Sequence, residues 1–193
     1  MLGQISRSDS SVLPVFTQAN QPFFIQRTFI LIAETRASTP TPGTKEGVQE
    51  TELISRQWLS RKVFEIELSR PSGFQFKAGQ TIRMIHGDIK RYYSIISAPS
   101  DPTLTLCVRF IAGGKFTPTL ATADIGKQLK MTGPHGYFTF NASQRPPVFV
   151  ATGTGIAPFV SMARSGVKDF LLVHGVSCAE HLYYGTIFRN ISR

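Results

Sequence analysis

The sequence has no Cys-x-x-Cys pair. Its two cysteines, Cys107 and Cys178, stand far apart in apolar surroundings. That argues against a zinc or iron–sulfur site carried on this chain, and no metal is expected. Two buried free thiols in a reducing compartment are the simpler reading. Nor is there an apolar run of membrane-spanning length. Residues 23–33 come nearest, but Gln26, Arg27 and Thr28 interrupt them. Charged residues are scarce, at 17%, which argues against long solvated helices. The net charge is +9, yet no run of five or more basic residues occurs. The basic residues are dispersed singly, so nucleic acid is the weaker partner class. An anionic nucleotide or an acidic protein suits such a surface better.

What is present points to strands and turns. The chain of 193 residues contains 15 Phe, 16 Gly and 12 Pro. The length suits one domain and part of another. Residues 1–49 show no steady period and read as a leader. It is rich in Ser and Thr, low in acids, and carries Arg7, Arg27 and Arg36. Residues 37–47 (ASTPTPGTKEG) form a flexible linker. Such a leader is compatible with an organelle transit segment; otherwise a cytoplasmic location is expected.

Strand signals begin near Gln49. Residues 62–68 (KVFEIEL) alternate, with Val63, Glu65 and Glu67 opposite Phe64, Ile66 and Leu68. Further strands are expected over residues 50–59, 80–85, 91–97, 103–111, 125–131 and 133–140, with turns between them. Regular short strands imply an antiparallel sheet or barrel, placed at residues 50–144. A short helix is expected at residues 116–122, with Thr117 as N-cap before Pro118. From residue 145 the pattern changes. Residues 147–151 (PVFVA) read as a strand buried on both faces. A glycine loop and a helix over residues 159–164 follow. Residues 169–173 (DFLLV) form a second buried strand, and residues 179–191 a helix with Leu182, Tyr183, Ile187 and Phe188 inward. Strand, glycine loop, helix, strand is the opening of a doubly wound nucleotide-binding domain, at residues 145–193.

Three stretches carry chemistry. Arg91-Tyr92-Tyr93-Ser94 combines a fixed cation, two aromatics and a hydroxyl. Alternation puts Arg91 and Tyr93 on one face, and Tyr92 and Ser94 on the other. An arginine fork suits a phosphate, an aromatic stacks on a flat ring, and a hydroxyl bonds a ring heteroatom. A flavin nucleotide offers all three; an edge strand with surface tyrosines is the plainer reading. Second, Gly113 and Gly114 precede the short helix and offer backbone N–H groups to an anion; an ordinary turn is equally admissible. Third, Gly153-Thr154-Gly155 lies where strand hands over to helix, which lets backbone approach a pyrophosphate.

Taken in order, these stretches resemble the ferredoxin–NADP reductase family of flavoenzymes. Arg91-Tyr92-Tyr93-Ser94 is similar to its RxYS motif and Gly114-Lys115-Phe116-Thr117 to its GxxS motif. Phe76-Lys77-Ala78-Gly79-Gln80 resembles its FxPGQ turn, and Gly133-Pro134-His135-Gly136 its GPxG turn. Thr152-Gly153-Thr154-Gly155-Ile156-Ala157-Pro158-Phe159 resembles its nicotinamide-nucleotide loop. The resemblance covers about residues 50–193. It implies an antiparallel flavin-binding β-barrel followed by an incomplete doubly wound α/β domain. It implies FAD as cofactor and NADP or NAD as hydride donor. By that resemblance Arg91 holds the flavin phosphate, Tyr93 lies against the isoalloxazine with Tyr92 beside it, and Ser94 bonds near flavin N5 as the catalytic residue. The backbone of Cys107, Val108 and Arg109 lines the adenine or ribityl side. Gly114, Lys115, Phe116 and Thr117 bind the pyrophosphate. Thr152 faces the nicotinamide, with Gly153, Thr154, Gly155, Ile156, Ala157 and Pro158 along the dinucleotide pyrophosphate. Ala78 stands where the family has proline, and Thr117 where it has serine. The family's later strands, with their cysteine motif and NADP-selecting residues, have no counterpart here.

Three functions follow. The first is an NAD(P)H oxidoreductase passing electrons to a separate acidic carrier such as ferredoxin or flavodoxin. The second is an FAD-binding module without turnover. The third is a basic barrel binding nucleic acid through Tyr92, Tyr93 and Phe110, which leaves the glycine loop without a role.

Overall fold

The computed structural model describes residues 47–191. The leader and linker expected before Gln49 lie almost wholly outside the described residues. Six strands form one sheet: β1 (Gln49–Ser60), β2 (Val63–Ser69), β3 (Thr81–His86), β4 (Ile89–Ser94), β5 (Thr103–Arg109) and β6 (Gln128–His135). Their order is β4-β3-β6-β1-β2-β5, and every pair is antiparallel. The alternation of residues 62–68 has its expected consequence. Phe64, Ile66 and Leu68 are fully buried inside, while Glu65 and Glu67 face outward, half-buried. Leu53, Ile82, Leu104, Leu106 and Met131 join them in the core. Each such burial stabilises by about 1.5–3 kcal/mol.

The sheet curls until its two edge strands meet. They are joined by a single bridge, Ile95 to Leu106, reinforced by Ile96 N–H donating to Thr105 O at 2.8 Å. The result is a barrel whose seam is bridged at one point rather than laddered. One end is plugged by α1 (Thr117–Thr122). Phe116, Leu120 and Ala123 pack into the core. The Arg56 guanidinium donates to Leu120 O (3.2 Å) and Ala123 O (2.7 Å), satisfying carbonyls at the end of α1. Thr117 is not the N-cap; Phe116 holds that position without a side-chain bond. The Thr117 hydroxyl instead accepts from Ile111 N–H at 3.0 Å, fastening the preceding turn.

The two pieces expected at residues 125–131 and 133–140 are one strand, β6. It runs through Gly133-Pro134, which takes a cis peptide bond. Thr81 pairs with His135 but Arg83 with Thr132, so a bulge absorbs the pair.

The second unit comprises β7 (Val148–Thr152), a 3₁₀ turn (Gly153–Ile156), α2 (Ala157–Arg164), β8 (Leu171–Gly175), a second 3₁₀ turn (Ala179–His181) and α3 (Gly185–Ile191). β7 and β8 pair in parallel, Val148 with Leu171 through Thr152 with Gly175. The expectation of two buried faces is corrected. Phe149 and Ala151 face the core, but Val148 and Val150 are 60% and 65% exposed. Both helices join the one core cluster, so the other face of the sheet has no cover among the described residues. The single helix expected over residues 179–191 is also corrected. Tyr184 takes a left-handed φ of 65°, which separates the 3₁₀ turn from α3. Tyr183 and Phe188 are buried as expected, whereas Leu182 is exposed. Of the two free thiols only Cys107 is buried; Cys178 is exposed.

The two units share a core. Val63, Ile96 and Cys107 of the barrel pack with Phe149, Ile156, Val160 and Phe188. Ser161 in α2 donates to Ser97 O at 2.7 Å, fully buried. Ser60 and Tyr183 bond through their hydroxyls at 2.9 Å. Among the described residues no helix is long and apolar enough to cross a membrane.

Candidate flavin and nucleotide site

The seam of the barrel builds the site. β4 pairs only with β3, and β5 only with β2. On the Arg91 side of the Ile95–Leu106 bridge, their facing edges are unpaired among the described residues. Backbone polar groups left so are available to a ligand. Arg91 and Tyr93 lie across from Met84 and Ile82, the inward-pointing residues of β3. Both therefore lie on the inner face of the sheet, Arg91 exposed and Tyr93 half-buried against the core. Tyr92 lies across from Arg83 and turns the opposite way. Its ring meets His135 edge-on at 5.4 Å, with the Arg83 guanidinium 5.8 Å from its centroid. Tyr92 thus belongs to an outer-face cluster with Arg83, Thr132 and His135, which local sequence gave no signal for.

The structure brings the first two motifs together. The Tyr93 and Phe116 rings stack at 6.1 Å and 26°, which seats residues 114–117 against β4. Burial pushes the Tyr93 phenol up to about 12, against a smaller opposing pull from Arg91. It stays neutral and able to donate. The Arg91 guanidinium bonds only its neighbour's carbonyl, Lys90 O, at 2.8 Å. It has no carboxylate partner among the described residues. The Ser94 hydroxyl is likewise without a partner among them. In the turn, Gly114 N–H is already used, donating to Ile111 O at 2.8 Å. The N–H groups of Lys115, Phe116 and Thr117 have no such acceptor among the described residues. A Cβ at Gly114 would come within 3.0 Å of Ile111 O. A cation without a carboxylate partner, a hydroxyl and N–H groups without partners, all among the described residues, and a slot with unpaired edges fit a flavin nucleotide. On β5, Val108 is fully buried and Cys107 nearly so. There only backbone and the exposed Arg109 side chain can face a ligand.

The third motif is fixed beside the first. Ile96, just past Ser94, packs with Ile156 and Ala157, and the Ser97–Ser161 bond clamps α2 to the same segment. In the loop, Gly153 takes a left-handed φ of 50°, and its carbonyl lies 2.9 Å from His174 Nε2. Thr152 and Gly155 are exposed, and Thr154 half-exposed. Ile156, Ala157 and Pro158 are buried; their side chains anchor α2, leaving only backbone for a ligand. The turn at residues 76–80 and that at 133–136 meet as well. Gln80 accepts from Lys77 N–H at 2.8 Å and donates to Gly136 O at 3.0 Å. Gly79, at φ 96°, is irreplaceable there, since a Cβ would lie 2.0 Å from Phe138 O and 2.7 Å from Met162 Cε.

One cluster escaped sequence reasoning. Burial pushes the Cys107 thiol up to about 11, with Glu65 adding to the rise and Tyr184 opposing it. Burial first, then Cys107 and Glu65, push the Tyr184 phenol far upward. Its hydroxyl is buried near Cys107 and Glu65, with no hydrogen bond of good geometry among the described residues. Residues this distant in sequence offer no local pattern to read.

Barrel, seam and glycine loop together define a flavin-binding reductase architecture, and the comparisons agree. Residues 47–140 match the oxidoreductase FAD-binding domain, and residues 149–193 the oxidoreductase NAD-binding domain. Ferredoxin–NADP reductase B of Sorangium cellulosum is 38% identical over 133 residues, 65% of this chain and 54% of that protein. The 2-halobenzoate 1,2-dioxygenase electron transfer component of Burkholderia cepacia is 31% identical over 181 residues, 89% of this chain and 52% of that one. The structure of a ferredoxin NADP+ reductase from Neisseria gonorrhoeae with bound FAD and NADP superposes with a TM-score of 0.63 at 28% identity. It covers 70% of this chain and 60% of that one. The chain belongs to the ferredoxin–NADP reductase-like flavoenzymes. It spans about half the length of the two sequence relatives named.

Proposed function

We propose that this chain is a flavin-dependent NAD(P)H oxidoreductase that hands electrons to a separate acidic carrier such as a ferredoxin or flavodoxin. The observation carrying this is the stack of Tyr93 on Phe116, which brings the N–H groups of residues 115–117 close to β4 and to Arg91, a guanidinium without a carboxylate partner among the described residues. Arg91 and those N–H groups would hold the phosphates. Tyr93, propped by Phe116, would set the plane of the flavin ring, and Ser94 would offer a hydroxyl to it. FAD held there would supply the redox chemistry that links NAD(P)H to the carrier. The exposed Thr152 and Gly155 and the half-exposed Thr154 would receive the nicotinamide nucleotide. The net charge of +9 favours an acidic carrier. Free thiols suit a reducing, cytoplasmic setting.

A second reading, FAD held without turnover, is favoured by one observation: among the described residues two strands build the nucleotide sheet. One preparation separates them. The chain is purified, loaded with FAD, and mixed with NADPH or NADH without oxygen. A yellow protein that bleaches supports the oxidoreductase. A yellow protein that stays yellow supports the module, and a chain that takes up no FAD removes both.

A further inference from the structure

β8 carries one polar side chain, His174, and places it on the covered face of the two-stranded sheet. Leu172 and His174 alternate with the exposed Leu171 and Val173. In the parallel register Leu172 lies across from Phe149 and His174 across from Ala151, both of which face the core. The imidazole reaches past the end of the sheet to the glycine loop. Its Nε2 lies 2.9 Å from Gly153 O, 21 residues earlier in the chain. A carbonyl can only accept, so Nε2 carries the proton and donates it.

This bond sets the direction of the next peptide unit. Gly153 takes a left-handed φ of 50°, and the cis peptide bond among the described residues is Gly133–Pro134, so Gly153–Thr154 is trans. In a planar trans peptide the C=O and the N–H point opposite ways. With Gly153 O held toward His174, Thr154 N–H points away from it. That N–H has no backbone acceptor among the described residues, and Gly155 beside it is exposed. We propose that His174 is a positioning residue for the nicotinamide nucleotide: by holding Gly153 O, it presents Thr154 N–H to a phosphate of NAD(P)H. The inference rests on the nucleotide-loop reading above. Without the bond the peptide is free to turn over, which sets a carbonyl oxygen where an anion needs a donor.

Calorimetric titration of NADP+ and of NAD+ into the full chain, with FAD present, tests the proposal. His174→Leu should weaken whichever nucleotide binds by about tenfold or more, the worth of a hydrogen bond to a charged group. His174→Gln, which keeps an N–H donor on a side chain of similar reach, should recover most of that loss. FAD affinity should be the same in all three chains, which a general loss of structure would not allow. The unaltered chain gives a second measurement that does not depend on how the variants fold. Its Thr154 amide proton should move downfield in the NMR spectrum as the nucleotide is added. The proposal is overturned if His174→Leu binds the nucleotide as tightly as the unaltered chain, or loses FAD along with it. It is also overturned if His174→Gln does no better than His174→Leu, or if the Thr154 amide proton does not move. If the unaltered chain binds neither nucleotide, the nucleotide-loop reading itself fails and takes this proposal with it.

Discussion

The barrel and the α/β unit bury their strands to different degrees. In the barrel, six strands enclose an interior of fully buried Leu53, Phe64, Ile66, Ile82, Leu104 and Leu106. In the α/β unit, two parallel strands bury one face and leave Val148, Val150, Leu171 and Val173 exposed on the other. Parallel strands are ordinarily covered on both faces. A flavin site built into the barrel seam is thus backed by a complete core. The nucleotide loop rests on a sheet with half of one. The difference teaches which part of the proposed function should prove robust: flavin binding would depend on the well-buried unit, and hydride delivery on the exposed one.

The largest effect should come where the two units touch. Gly79→Ala drives a Cβ into Phe138 O and Met162 Cε at a left-handed φ. Its cost should be about 3 kcal/mol or more in chemical denaturation, from overpacking and backbone strain together. Next comes the contrast between cores. Leu106→Ala, at a fully buried position, should cost about 2–5 kcal/mol. Leu171→Ala, at a residue 51% exposed, should cost less than about 1 kcal/mol. Equal losses in urea titrations would break the comparison. Arg91→Ala should lower FAD affinity about tenfold to a hundredfold, the worth of a charge-assisted phosphate contact, while leaving the melting temperature unchanged.

The smallest effect concerns pH. Cys107 has an ordinary value of 9.0 and is raised to about 11 in the folded chain. Above 9 the unfolded thiol loses its proton while the folded one keeps it. The unfolded state then binds fewer protons, so stability falls as pH rises from about 9 to about 11. Cys107→Ala should flatten that slope in melts across the range. In the same protein at neutral pH, a thiol reagent should label the exposed Cys178 quickly and the buried Cys107 only on unfolding.

Much of this was legible in the sequence, for definable reasons. The barrel strands announced themselves because alternation at positions such as Phe64, Ile66 and Leu68 is a local signal. The motif at residues 91–94 suggested a flavin nucleotide through residue type, with a plain edge strand as the simpler reading, and alternation correctly parted Tyr92 from Arg91 and Tyr93. What stayed hidden was non-local. Residues 133–134 look like a turn, yet a bulge against Thr81 and Arg83 carries them through β6. Residues 179–191 look like one helix, yet the left-handed Tyr184 divides them. The apolar run at residues 147–151 promised two buried faces, because composition does not say whether a second layer will cover it. The Tyr93–Phe116 stack and the Ser97–Ser161 bond, which assemble the site, join residues with no shared pattern.

The central claim is that the barrel seam holds one flavin. Equilibrium titration of FAD into the purified full chain, followed by flavin fluorescence, tests it most directly. The account predicts saturable binding of one FAD per chain, weakened by Arg91→Ala and unaffected by Leu171→Ala. Absence of binding, or binding that ignores Arg91→Ala, would contradict it.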